Sequence, residues 1–122
     1  MSKHPDRAQD YLEHILNALE RIQRYTSGKS AGDFTADTLL QDAVLRNLGI
    51  IGEAAHRLLA DSPDYAAKHP EIPLAKIYGT RNRITHAYEE VDIEVIWNLV
   101  VFDVPDLQPK IVVALNEFKS EG

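Results

Sequence analysis

Cysteine is absent from this 122-residue chain. That excludes a disulfide framework, thiol catalysis and any thiolate metal site, and it fits a reducing compartment. Long hydrophobic runs are missing too. Stretches such as Leu48–Ile51, interrupted by Gly49, and Leu99–Phe102 fall far short of the ~18 apolar residues of a membrane span. Residues 1–10 are polar and lack the apolar segment of a signal peptide, so a cytoplasmic location is expected. A basic excess is lacking as well: thirteen Lys and Arg stand against nineteen Asp and Glu, a net charge of −6. No global field draws in nucleic acid, and any phosphate site must be local, built from a few arginines and lysines. There is no Gly-rich phosphate loop, no nucleophile elbow, no internal repeat and no low-complexity tract.

The composition is globular, 44% apolar and 26% charged, in a chain of one-domain size (1–122). Such a chain buries roughly 65% of its unfolded surface, enough for one core. Apolar residues recur at helical spacing almost throughout. Leu12, Ile15, Leu16, Leu19 and Ile22 form the stripe of a first helix after Pro5, ending near Gly28. Lys29–Asp33 reads as a loop, with Asp33 or Asp37 capping the second helix. At ~100° per residue, the apolar positions of that helix, about Thr38 to Ala60, cover about half its circumference. That breadth predicts two partners, the core and a second copy of the chain. Gly49 and Gly52 in the helix interior predict close approach by another backbone. Asn47 lies inside the apolar arc and needs a hydrogen-bond partner if buried.

Ser62-Pro63-Asp64 reads as a cap and first turn, and His69-Pro70 as a break. Three further helices are expected: Leu74 to about His86, Ile93 to Asp103 behind a capping Asp92, and one from Pro105 to Phe118. No stretch alternates with period two. The expected fold is all-α, an up-and-down bundle of about five helices.

Few constellations carry chemistry. Glu53-Ala54-Ala55-His56 has the Glu-x-x-His spacing of di-metal carboxylate bundles, but only one copy exists and it lies off the core arc. A solvated helix face is the better reading, and no metal is expected. His4, His14 and His69 have no ligand-like partners at useful spacing. The strongest constellation is Gly79-Thr80-Arg81-Asn82-Arg83-Ile84-Thr85-His86-Ala87-Tyr88. Asn82 and His86 share a helix face, as do Arg81 and Tyr88. Arg81 and His86 diverge by ~140° in an unbroken helix, so they meet on one phosphate only if the helix ends or bends near His86. The residue types suit phosphodiester cleavage. Guanidinium grips a phosphate bidentately, and imidazole moves protons near neutral pH. The 2′-OH of RNA can serve as nucleophile, so no cofactor is needed. On spacing alone, an ion pair at Arg81 and helix-end caps at His86 and Tyr88 explain the same residues.

Arg81, His86 and Tyr88 in this spacing resemble the signature of the HEPN superfamily, and in detail its HepT-like members. The likeness extends to Tyr11–Leu16, Gln41–Ala55, Pro70–Pro73 and Val91–Trp97, and so covers nearly the whole chain. It implies a HEPN-like bundle that forms a homodimer, with two Arg…His motifs meeting between subunits. It further implies a metal-independent ribonuclease toxin whose antitoxin is a minimal nucleotidyltransferase, which transfers AMP to the motif tyrosine, here Tyr88. Ala87 stands where many relatives carry an acidic residue. On this reading Arg81 and His86 are catalytic, Asn82 orients His86 or the phosphate, and Lys76 and Arg83 supply local positive charge. The alternative is a non-catalytic binding module that engages a nucleotidyltransferase or nucleotide.

Overall fold

The computed structural model describes residues 7–86 and 92–121, and of 81–86 and 121 the backbone alone. Helix α1 (Arg7–Thr26) carries the expected stripe: Leu12, Ile15, Leu19 and Ile22 are fully buried. It stops where Gly28 takes φ +75°, a left-handed conformation that costs glycine little, and the Lys29 N–H donates to the Thr26 carbonyl at 3.0 Å.

The expected loop at 29–33 is instead the start of a short helix, α2 (Ala31–Ala36). Ser30 and Asp33 form a reciprocal capping box. The Asp33 N–H donates to Ser30 Oγ at 3.1 Å and the Ser30 N–H to Asp33 Oδ2 at 2.9 Å. Two hydrogen bonds stabilise one and a half turns that have too few residues to show a periodic stripe. The helix buries Phe34 completely, against Trp97 at 5.2 Å between ring centroids. The hydrogen bonds with Ser30 also hold the Asp33 carboxyl below the ordinary carboxylate range.

Asp37 caps α3 (Thr38–Asp61), accepting from the Leu40 N–H at 3.0 Å. This long helix packs on α1 along one side and on α5 (Leu74–His86) along the other. Two partners within one chain thus take most of its wide apolar arc, while Leu45, Leu48, Ile50 and Leu59 are only partly buried. Asn47 is buried at 3% exposure and partnered as required. Its amide donates to the Ala43 carbonyl at 2.9 Å, and Arg21 of α1 donates to Oδ1 at 3.4 Å. A Cβ on Gly49 would meet nothing within 4 Å, so no backbone of the same chain explains that glycine.

After α3, α4 (Pro63–Lys68) starts at Pro63 as anticipated, but Ser62 makes no side-chain cap. Asp92 caps α6 (Ile93–Asn98) through the Glu94 and Val95 N–H groups. The two helices expected on either side of Pro105 are in fact one continuous helical run. α6 passes into a π-helical turn, Leu99–Asp103, and then into α7 (Val104–Glu121). The Val104 N–H reaches back to the Leu99 carbonyl, the i→i−5 bond of a π turn. Pro105 has no N–H to place in the ladder, and the run accommodates it without a break. Pro109 lies inside α7.

The long helices enclose one buried cluster that includes Leu12, Leu19, Val44, Leu58, Ile96 and Ile111. Among the described residues there is no strand, and no helix is long and apolar enough to cross a membrane.

Candidate nuclease site on α5

Helix α5 begins after Pro73, whose carbonyl accepts from the Ile77 N–H at 3.0 Å. Leu74 is buried and Ile77 and Tyr78 are half-buried, a face at i, i+3, i+4 that seats the helix on α3. Tyr78 stacks on His56 of α3, ring centroids 4.3 Å apart. His56 of the Glu-x-x-His motif is thus engaged with an aromatic ring. Glu53 pairs instead with Arg57 at 3.1 Å on the exposed side of α3. Among the described residues no three His, Asp or Glu side chains gather as a metal site would require.

Lys76, Arg81, Asn82, Arg83 and His86 all belong to α5. Lys76 is exposed, and its carbonyl accepts the Thr80 hydroxyl at 3.0 Å. The backbone remains helical through 81–86, and the described part of α5 ends at His86. Lys76 and Arg83, seven apart, occupy one helix face, and Asn82 and His86 occupy another. Arg81 and His86 are ~140° apart around the axis. Tyr88 and Ala87 lie outside the described residues.

Between α5 and the π–α7 run lies a cleft of about 380 Å³. Its floor is apolar, with Leu19, Leu48, Ile51, Ile77, Leu99 and Leu107, and its rim carries Lys76, Thr80, Asp103 and Asp106. Thr80 falls inside the constellation quoted from the sequence without a role of its own, and nothing in the sequence pattern singles out Asp103. Asp103 ends a stretch that reads as ordinary helix, and the only trace of the cleft in the sequence is the apolar run that precedes it. A second groove, between α1 and α3, is lined by Arg7, His14, Arg46 and Arg57. It gathers local positive charge away from α5.

The chain also matches known proteins. A family model described as "Ribonuclease HepT-like" matches residues 15–114. A probable ribonuclease HepT of Thermococcus cleftensis is 41% identical over 83% of this chain and 89% of that protein. A protein of Caldanaerobacter subterraneus, named as an inferred RNase, is 34% identical over 89% of this chain and 95% of its own length. A Methanocaldococcus jannaschii protein, whose name couples a gamma-glutamylcyclotransferase to an inferred RNase, is 36% identical over 88% of this chain and 47% of itself. No solved structure gives a significant match. With a fold that is all helical among the described residues and this match across most of its length, the chain belongs to the HepT-like family of the HEPN superfamily, and with it to the ribonucleases.

Proposed function

We propose that this chain is a metal-independent endoribonuclease of the cytoplasm, the toxin of a two-component module, and that it acts as a homodimer. The observation that carries the reading is the placement of Arg81 and His86 on one helix of a ribonuclease-family fold. The His86 imidazole takes the proton of the ribose 2′-OH or gives one to the departing 5′-oxygen. The Arg81 guanidinium stabilises the charge that builds on the phosphoryl oxygens. Asn82 orients His86 or the phosphate, and Arg83 and Lys76 add positive charge to an acidic chain. The 2′-oxygen attacks phosphorus and the 5′-oxygen leaves, so the products are a 2′,3′-cyclic phosphate and a 5′-hydroxyl. Val95 and Val101, exposed on α6 and the π turn, offer apolar surface for a second copy.

Control is assigned to a nucleotidyltransferase antitoxin that transfers AMP to Tyr88. The added phosphodiester would occupy the substrate phosphate's place and repel it. The rival reading, a binding module that does not cut, draws on the net charge of −6 and on Ala87.

The experiment is incubation of purified chain with RNA in EDTA, beside His86→Ala. Cleavage that falls by on the order of 10²–10⁴-fold in the variant supports the nuclease. Equal cleavage by both means a contaminant, and no cleavage by wild type favours the binding module. Intact mass after incubation with the partner and ATP tests the control step: Tyr88→Phe should gain no AMP.

A further inference from the structure

The cleft beside α5 joins two chemistries. Its floor is the open side of the hydrophobic core, and its rim holds opposite charges that do not meet. Lys76 on α5 and Asp103 at the end of the π turn both line it, and neither makes a side-chain hydrogen bond or ion pair among the described residues. Asp106, by contrast, is engaged by Lys110 at 3.2 Å. Phe102 adds an aromatic lip at 66% exposure. The π turn that presents Phe102 and Asp103 is a rare backbone form often found at functional sites. Thr80, on the same rim, immediately precedes Arg81.

We propose that this cleft is a base-binding subsite that takes one unpaired guanine of the RNA next to the phosphate addressed by Arg81. The inference rests on the nuclease reading above. At about 380 Å³ the cleft lies at the small end of ligand pockets, roughly 300–1,000 Å³, a size suited to one base rather than a helix. A base has flat apolar faces for the floor and in-plane polar groups for the rim, whereas an apolar side chain from a second copy would bury Lys76 and Asp103 unpaired. Guanine matches both rim charges at once. Its O6 and N7 accept from an ammonium, and its N1–H and N2–H₂ form a double donor for a carboxylate, which only accepts. Adenine has no such double donor, and uracil has a single N–H. The carboxylates also repel phosphate, so the base enters the cleft and the backbone stays at the α5 end, where Thr80 and Arg81 lie.

The test has two arms. In the first, the full-length protein is titrated with 5′-GMP, AMP, CMP and UMP by calorimetry and by amide NMR. GMP should bind most tightly, with shifts centred on Thr80, Asp103 and Leu107. In the second, cut sites are mapped across a random RNA pool. Asp103→Asn keeps shape but replaces one acceptor oxygen with a donor, and it should lower the guanine preference by about tenfold in both arms. Lys76→Gln should weaken GMP more than UMP, because both lose attraction for the phosphate and only guanine also loses a donor to O6 and N7. Both residues are exposed, and unchanged circular dichroism checks the fold. Equal affinity for the four nucleotides, or a preference untouched by Asp103→Asn, overturns the subsite. Shifts at these residues that follow protein concentration instead of nucleotide also overturn it and make the cleft a subunit contact. Selective GMP binding without RNA cleavage would uphold the subsite while the nuclease reading fails.

Discussion

Ser62 offers a test in which sequence logic and structure predict opposite signs. It precedes Pro63 at the start of α4, where a serine ordinarily caps a helix, and Ser→Ala then costs typically ~1 kcal/mol. Here the residue is 5% exposed, its hydroxyl caps nothing, and Ser62 Oγ is a buried polar atom without a partner among the described residues. Its backbone is fully engaged, because the Ser62 N–H donates to the Leu58 carbonyl at 2.9 Å and its carbonyl accepts from the Ala66 N–H at 3.1 Å. Alanine retains both bonds. An unmade hydrogen bond on a buried hydroxyl costs ~1–3 kcal/mol, and the small space left by the oxygen returns part of that. Ser62→Ala should therefore stabilise the protein by about 1 kcal/mol, a rise in Tm of roughly 3–5 °C for a chain of this size. Asp37 and Asp92 are internal controls. Their carboxylates do accept N–H groups, from Leu40 at 3.0 Å and from Glu94 at 2.9 Å, so each alanine substitution should cost ~1 kcal/mol. Urea unfolding, followed by the fluorescence of Trp97, measures all three. A loss of ~1 kcal/mol in Ser62→Ala, equal to the two aspartate variants, would show that the hydroxyl is satisfied and refute the reasoning.

Two further perturbations probe the same framework. Phe34→Ala empties a fully buried site against Trp97 and should cost ~3–5 kcal/mol, with a change in tryptophan emission; a loss below ~1 kcal/mol would mean that α2 does not dock as described. Asp33 has its pKa depressed in the folded state by Ser30, so its contribution is present above the unfolded value, about 3.9, and lost as pH falls through the folded one. Asp33→Asn should therefore lose less stability than wild type between pH 5 and pH 2.5, read by denaturant midpoints, and identical losses would contradict the capping box.

The parts of the fold that can be read from sequence are those where one residue type has one physical use. The α1 stripe, Gly28 at a left-handed turn, Asp37 and Asp92 as caps and Asn47 as a buried amide all emerge from local rules. Local rules fail where tertiary context decides. The breadth of the α3 arc is shared between α1 and α5 within the chain, while Leu45, Leu48, Ile50 and Leu59 stay only partly buried. Ser30 and Asp33 start a helix too short for periodicity to reveal. Pro105 looks like a boundary between two helices, but a π turn carries the helix through it, and no sequence pattern announces that turn. The site divides in the same way. Arg81, Asn82, Arg83, His86 and Lys76 stand out because their chemistry clusters in sequence and on one helix. Thr80 and Asp103 come from separate elements, and only the folded cleft brings them together.

The central claim is that RNA is cut by its own 2′-hydroxyl under the action of Arg81 and His86. The most direct measurement uses an RNA of mapped cut site carrying a single 2′-deoxy substitution on the ribose just 5′ of that bond, assayed in EDTA. Cleavage should vanish at the substituted position and persist at other sites, with 2′,3′-cyclic phosphate ends on the remaining products. Undiminished cleavage at the 2′-deoxy position would contradict the account, because the nucleophile would then be water or a protein group.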